Sequence, residues 1–324
     1  MADWWFSSLY ETEKMKPPAL VTAGATDSSP SMSRSNLRNY IQLHLVVLAW
    51  GLTAILGKLI LLPPVDVVLW RTALAVLCFA GLARCMGHSL LVSRRRIFAM
   101  LAVGIILGLH WILFFWSARL ATASVCLAVM PTAMLWSSLI EPVIDGSRRW
   151  RFSELLVGAV MVGAVWLIYQ VEFRYWLGFS VAIAAAVLAA FFATMSKQQV
   201  ARDTHWSVIG FYQMGGACLA AFLSRPFLEN GLMPELPDAA SALWLGVLSL
   251  VCTVAAYAGF MDVLRRVSVF TVNVVYNMEP VYGIVLAAWV FGKAEFMSAG
   301  FYLGASVIIA VVLALPWIRR WVER

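Results

Sequence analysis

The sequence between residues 40 and 317 is a series of long apolar stretches separated by short polar breaks. A helix needs about 20 residues to cross the hydrocarbon core of a bilayer. The stretches are continuous rather than alternating, which favours helices over strands. We predict an all-α integral membrane protein with ten transmembrane helices. The predicted spans are 40–61, 65–84, 96–118, 121–141, 154–171, 175–197, 206–224, 241–262, 267–291 and 296–317.

The composition supports this fold class. Of 324 residues, 62% are hydrophobic and 13% are charged, which excludes an ordinary soluble enzyme and a disordered chain. The net charge of +7 does not indicate a nucleic-acid partner, because Lys and Arg in membrane proteins record topology. None of the five cysteines forms a CxxC pair, so neither a metal site nor a redox role is predicted.

The distribution of Lys and Arg predicts the orientation. With the N-terminus in the cytoplasm, 18 basic residues fall on the cytoplasmic side and 4 fall on the outer side. This bias predicts that both termini are cytoplasmic. Residues 1–38 are rich in Pro, Ser and Thr, which predicts a disordered cytoplasmic tail, and residues 318–324 form a short basic cytoplasmic tail.

The chain also contains an internal repeat. Segment Ser117–Pro131 matches segment Arg266–Pro280 at a constant offset of 149, in apolar pattern and in the final proline. A repeat of five helices is odd, so the second unit enters the membrane from the opposite side. We predict repeats over residues 39–171 and 172–317, with alternating access at their interface. Pro131 and Pro280 are candidate hinges.

The most polar stretch of any predicted span surrounds Glu279. A charged side chain at the centre of a bilayer costs about 2.5–3.5 kcal/mol, so it needs a reason. We expect Glu279 to line a cavity and to be a candidate proton carrier, although a structural ion pair with a neighbouring helix is the alternative. The polar residues on the same helix are Asn273, Tyr276, Asn277 and Tyr282.

Three further polar residues are candidates for the same pathway. His110 lies midway along the third span, where it either lines the cavity or is a packing histidine. The repeat aligns Arg71 with Gln213, a position that either binds an anionic group or pairs with the Glu279 carboxylate. Lys58, near the end of the first span, is expected to extend its amine towards the membrane surface.

No sequence signature of an enzyme or of an ATP-driven pump is present, so no catalytic residue, cofactor or metal is expected. The predicted partners are membrane lipids, a small-molecule substrate and, as a candidate coupling ion, the proton. The small residues Gly300 and Gly304 are a candidate homodimer face. The alternative to a gradient-driven transporter is a non-transporting membrane scaffold or receptor.

Several motifs resemble one known family. The run Tyr-Asn-Met-Glu-Pro-Val-Tyr-Gly at 276–283, the sequence Phe-Gly-Lys-Ala-Glu at 291–295 and the pair Trp70-Arg71 are similar to the drug/metabolite transporter superfamily, EamA type. The resemblance covers about residues 40–317. The first repeat departs from the pattern, because Met130-Pro131 replaces its Glu-Pro.

The resemblance implies ten helices in two inverted repeats and a permease for small metabolites such as amino acids. Relatives also carry drugs and nucleotide-sugars, so it does not identify the substrate. It leaves the acidic role to Glu279 alone. We expect a multi-pass protein of the inner (plasma) membrane that exports its substrate.

Overall fold

The computed structural model describes residues 34–144, 152–200, 204–229, 231–264 and 275–322. Helices account for most of these residues, and none of them lies in a strand. In chain order the helices are α1 Arg34–Leu59, α2 Pro64–Cys85, α3 Arg94–Leu120, α4 Ala123–Val129, α5 Ala133–Ile144, α6 Phe152–Val171, α7 Trp176–Val200, α8 Trp206–Leu228, α9 Ala239–Ser249, α10 Ala256–Leu264, α11 Glu279–Phe291 and α12 Ala299–Val322.

Within the described ranges, seven helical stretches are long and apolar enough to cross a membrane. They are Arg38–Leu59, Pro64–Cys85, Arg94–Leu120, Ala123–Ile144, Phe173–Val200, Trp206–Leu228 and Ala239–Val263. Helices α6 and α12 carry shorter apolar segments, and the ninth predicted span includes residues 265–274, which lie outside the described residues. The prediction of an all-helical integral membrane protein is confirmed, and the count of ten helices stays a prediction.

Two prolines coincide with breaks in helices. Pro131 lies in the 3-10 turn Met130–Thr132, which separates α4 from α5. Pro280 lies in the first turn of α11, directly after a turn at residues 277 and 278. Proline has no N–H to donate and its ring clashes with the preceding turn, so it is tolerated at the start of a helix and interrupts its interior.

A third irregularity separates α9 from α10. Residues Leu250–Ala255 form a π-helical turn, so the helix is continuous from Ala239 to Leu264 but carries an extra residue at this point. Such turns are rare and often occur at functional sites. The Thr253 side chain in this turn donates a hydrogen bond of 2.8 Å to the carbonyl oxygen of Leu248 in α9.

The closest helix crossing is between α3 and α8. A Cβ atom added to Gly104 would meet the carbonyl oxygen of Gln213, and one added to Gly216 would meet that of Leu101. Glycine therefore permits backbone contact between the two helices. Gly304 of α12 faces Ile168 of α6 in the same chain, so this glycine is used in internal packing, and the homodimer stays a prediction.

The remaining packing follows a regular scheme. Helix α2 packs on α8, α6 on α12, and α4 on α11. Helix α1 packs on α10 and α11, while α7 packs on α3 and α5. Two ion pairs near the ends of helices mark the two ends of the bundle, which we name the Glu295 end and the Glu141 end after the carboxylate of each pair.

Candidate substrate pathway

Glu279 is the first residue of α11, so its carboxyl stands at the break in the helix rather than within a continuous turn. The side chain is buried, and it forms no ion pair among the residues that the structure describes. Its backbone lies against α1, because a Cβ atom on Gly51 would approach the Glu279 carbonyl oxygen at 3.2 Å. The described residues therefore do not form the structural ion pair that was the alternative for Glu279.

The polar residues close to Glu279 in the sequence contact two other helices, α1 and α5. Tyr276 is exposed and packs edge-to-face on Trp50 of α1, with ring centroids 5.4 Å apart. Tyr282 shares a hydrogen bond of 2.6 Å with Nδ1 of His44, also on α1. The buried Asn277 donates from Nδ2 to the Met134 sulfur of α5 at 3.2 Å. The predicted residue Asn273 lies outside the described residues.

Arg71 lies in the core between α2, α3 and the π-helical turn. Only 1% of its surface is exposed. Its Nε donates a hydrogen bond of 2.7 Å to Thr253 Oγ1, and its guanidinium carbon lies 3.7 Å from the centroid of the Trp111 ring. Its Nη1 has no hydrogen-bond partner among the described residues. The guanidinium of Arg71 is therefore held in position by its neighbours, but no carboxylate among the described residues forms an ion pair with it.

Gln213, which the predicted repeat aligns with Arg71, has hydrogen-bond partners for all its polar atoms. It is fully buried on α8, where its Nε2 donates to Ser196 at 3.1 Å and to Gln199 at 3.0 Å. Its Oε1 accepts a longer bond of 3.4 Å from the Tyr257 hydroxyl. Every polar atom of this amide therefore has a partner.

His110 is half-buried and donates from Nδ1 to the Ala185 carbonyl oxygen of α7 at 2.8 Å. Its ring also contacts Phe114, at 6.0 Å between centroids. The bond to a backbone carbonyl fits the packing alternative. Within the described contacts, none of His110, Arg71 and Gln213 is hydrogen-bonded to Glu279.

Sequence reasoning missed the ion pair at the Glu295 end. Lys58 Nζ lies 2.7 Å from Glu295 Oε1, an ion pair that the expectation of an amine extended towards the membrane surface did not include. The Glu295 carboxylate also accepts from the backbone N–H groups of Ala123 and Ser124, at 3.0 and 2.9 Å. Burial opposes ionisation of Glu295, but the bonds from Lys58 and from the start of α4 outweigh it and lower its pKa.

Two more ion pairs were not predicted. Arg225 of α8 donates from Nε to Asp66 of α2 at 2.8 Å, and both side chains are buried at the Glu295 end. At the other end, Lys197 lies 2.7 Å from Glu141, and the lysine is about half exposed. Sequence alone does not reveal these pairs, because 159 and 56 residues separate the partners.

Two of the cavities between the described helices are well formed. One of about 610 Å³ lies between α1 and the α9–α10 helix and includes Gln42 and Ala255, and one of about 270 Å³ is lined by Trp136 and Tyr169. Neither includes Glu279 or Arg71. No group of three or more His, Cys, Asp or Glu side chains in the described ranges is placed to hold a metal ion.

The fold and the buried polar residues define a polytopic helical membrane protein with broken helices and isolated charges in its core. Residues 176–317 match the model of the EamA-like transporter family, which is part of the drug/metabolite transporter superfamily. The resemblance drawn from the Glu279-Pro280 run is thereby confirmed. The match supports a membrane transporter of this type.

A search of curated proteins finds no match to the chain. The chain is similar to a solved crystal structure of a protein, with a TM-score of 0.63 and 17% sequence identity. The match covers 89% of this chain and 99% of the other. At this identity the similarity shows a shared fold and carries no information about the substrate.

Proposed function

We propose that the protein is a gradient-driven secondary transporter that carries a small metabolite across the plasma membrane by alternating access. The observation that carries this proposal is the buried carboxyl of Glu279, which has no ion-pair partner among the described residues. A charge at this depth is costly unless it has a function, and residues 176–317 match a transporter family.

The packing of the helices supports an inverted repeat. If α1–α6 form one unit and α7–α12 the other, then α6 corresponds to α12 and α2 to α8, and each of these pairs is in contact. The contact of α1 with α11 corresponds to that of α7 with α5. This is the pattern that a two-fold axis in the membrane plane produces, and it relates the two halves of an alternating-access transporter.

The helix breaks support the same arrangement. The repeat aligns Pro131 with Pro280, and both prolines lie where a helix is interrupted. We propose that these breaks are the hinges at which the halves of each helix change direction. Discontinuous helices near the middle of the membrane are typical of substrate sites in secondary transporters.

Glu279 is the proposed proton carrier. Protonation would neutralise its charge and remove the cost of burying it, so the protonated and ionised forms favour different arrangements of the surrounding helices. We place the Glu295 end on the outer side and both termini in the cytoplasm. We treat the protein as a permease and assign no catalytic step.

The test uses purified protein in sealed vesicles loaded with a broad panel of metabolites. The wild type is expected to release at least one of them, and Glu279→Gln is expected to insert normally but to lose release driven by a pH gradient. Glu235→Gln, which changes an exposed carboxyl in a loop, is the matched control and should transport normally.

Two results would contradict the proposal. Unchanged proton-driven release in Glu279→Gln would remove Glu279 from the coupling mechanism. Failure of the wild type to release any member of the panel would favour the non-transporting scaffold or receptor.

A further inference from the structure

The buried guanidinium of Arg71 has two partners that orient it and none that neutralises it. Thr253 accepts a hydrogen bond from Nε at 2.7 Å, and the Trp111 ring lies against the guanidinium at 3.7 Å. Phe115 is a second aromatic neighbour at 5.8 Å. No carboxylate forms an ion pair with Arg71 among the described residues.

The orientation of Arg71 depends on the π-helical turn. Thr253 lies within the turn, and its hydroxyl donates to the Leu248 carbonyl oxygen at 2.8 Å while accepting from Arg71. The hydroxyl proton is therefore committed, and the lone pair that faces Arg71 is fixed. An irregular turn of the helix therefore holds one edge of the guanidinium in place.

The opposite edge of the guanidinium is available. Arg71 is 1% exposed, and its Nη1 lacks a hydrogen-bond partner among the described residues. A buried donor without a partner costs about 1–3 kcal/mol, and more when it is charged. A planar guanidinium with a free edge matches the two oxygens of a carboxylate or of a phosphate.

We infer that Arg71 is the anion-binding residue of the substrate pathway, and that the transported metabolite carries a carboxylate or phosphate group that pairs with its free edge. This inference rests on the proposed function, because the site is closed around Arg71 and an anion reaches it only when the helices separate. Three elements meet there, α2 and α3 from the first proposed repeat and the α9–α10 helix from the second. Substrate sites of transporters lie at such an interface.

The second proposed repeat has no anion-binding residue at the position that corresponds to Arg71. Its corresponding residue, Gln213, is neutral and has partners at both ends of its amide. Anion recognition is therefore restricted to Arg71, and Glu279 is left for the proton rather than for a permanent ion pair.

The test measures thermal stability of the purified, detergent-solubilised full chain with three probes of similar shape: phenylacetate, phenyl phosphate and neutral phenylacetamide. A ligand that binds the folded state raises its melting temperature. Phenylacetate or phenyl phosphate is expected to raise it and phenylacetamide is not. Whichever anion acts distinguishes a carboxylate site from a phosphate site.

Variants locate the effect. Arg71→Gln is expected to weaken anion binding by about tenfold or more, because a charge-assisted hydrogen bond is lost. Thr253→Val keeps the shape but releases Nε, and should weaken binding by about three- to tenfold. Arg119→Gln is the matched control: Arg119 donates to the carbonyl oxygens of Gly57 and Ile60 at the Glu295 end, so its loss should leave anion binding unchanged.

The outcomes separate this inference from the proposed function. Equal anion binding in Arg71→Gln, in Thr253→Val and in the wild type would overturn the inference, as would a wild type that responds to neither anion. Metabolite release that persists in Arg71→Gln would overturn it while the transporter proposal stands. Arg71-dependent anion binding by a protein that releases nothing from vesicles would support the site and contradict transport.

Discussion

Arg71 and Gln213 are the positions that the proposed repeat aligns, yet their surroundings differ in every respect that matters for binding. Arg71 is charged, and its Nη1 has no partner among the described residues. Gln213 is neutral, and Ser196, Gln199 and Tyr257 satisfy its amide. Among the described residues, one position therefore holds a buried charged group with an unpaired donor. The other holds a neutral amide whose nitrogen and oxygen both have hydrogen-bond partners. The two aligned positions therefore differ in charge and in hydrogen bonding, although the proposed mechanism assigns their helices equivalent movements.

The largest expected effect tests the buried ion pair that joins α2 to α8. Arg225→Ala would leave the buried Asp66 carboxylate without its ion-pair partner, so the free energy of unfolding should fall by about 3–5 kcal/mol. Denaturation of the purified protein measures the change. Arg174→Ala is the control, because its pair with Glu172 leaves 64% of the arginine exposed and should contribute less than about 1 kcal/mol. Equal losses in the two variants would contradict the distinction.

The next prediction asks whether the Gln213 position tolerates the charge of its counterpart. Gln213→Arg would place a cation among neutral partners, and none of the described residues that bond Gln213 is acidic. We expect a loss of about 2.5–3.5 kcal/mol in the free energy of unfolding, the usual cost of such a charge in mid-membrane. Wild-type stability in this variant would show that the two positions are interchangeable.

A smaller effect is expected at the crossing that covers Gln213. Gly104→Ala would drive a methyl group into the Gln213 carbonyl oxygen, and overpacking of this kind costs about 1–3 kcal/mol. Gly163→Ala is the matched control, because a Cβ atom there meets nothing within 4 Å. Measured melting temperatures should fall for the first variant alone, and a similar fall for both would argue against a tight α3–α8 crossing.

The smallest change is predicted for Arg71 itself. Arg71→Gln removes a buried charge but also its stacking on Trp111, an interaction that contributes about 0.5–2 kcal/mol. Because these effects oppose each other, we expect the free energy of unfolding to change by less than about 1 kcal/mol while anion binding is lost. A loss as large as that of Arg225→Ala would assign Arg71 a structural role.

The sequence predicted those features that depend on local pattern. Apolar stretches predicted the helices because their length is fixed by the bilayer. The two prolines were predicted as hinges, and they lie at helix breaks because proline lacks a backbone donor, while the hinge movement itself stays a prediction. Glu279 was found because a lone carboxyl contrasts with its apolar neighbours.

The features that the sequence did not reveal depend on contacts between distant residues. Lys58 and Glu295 are separated by 237 positions, and either residue alone is indistinguishable from an ordinary charge at a helix end. The π-helical turn has no signature in the run Leu-Val-Cys-Thr-Val-Ala, so the fixed orientation of Arg71 was invisible as well. Helix packing determines both, and single-sequence patterns do not describe packing.

The π-helical turn also makes the protein sensitive to the length of the chain, independently of its chemistry. An α-helix advances about 100° per residue, and the π-helical turn takes up one extra residue while α9 and α10 keep the faces of a regular helix that is one residue shorter. Removing a residue from this stretch would restore a regular helix. Thr253 would then lose the position within the turn from which it accepts the hydrogen bond of Arg71. A one-codon deletion that alters no polar side chain would therefore be expected to weaken anion binding at Arg71.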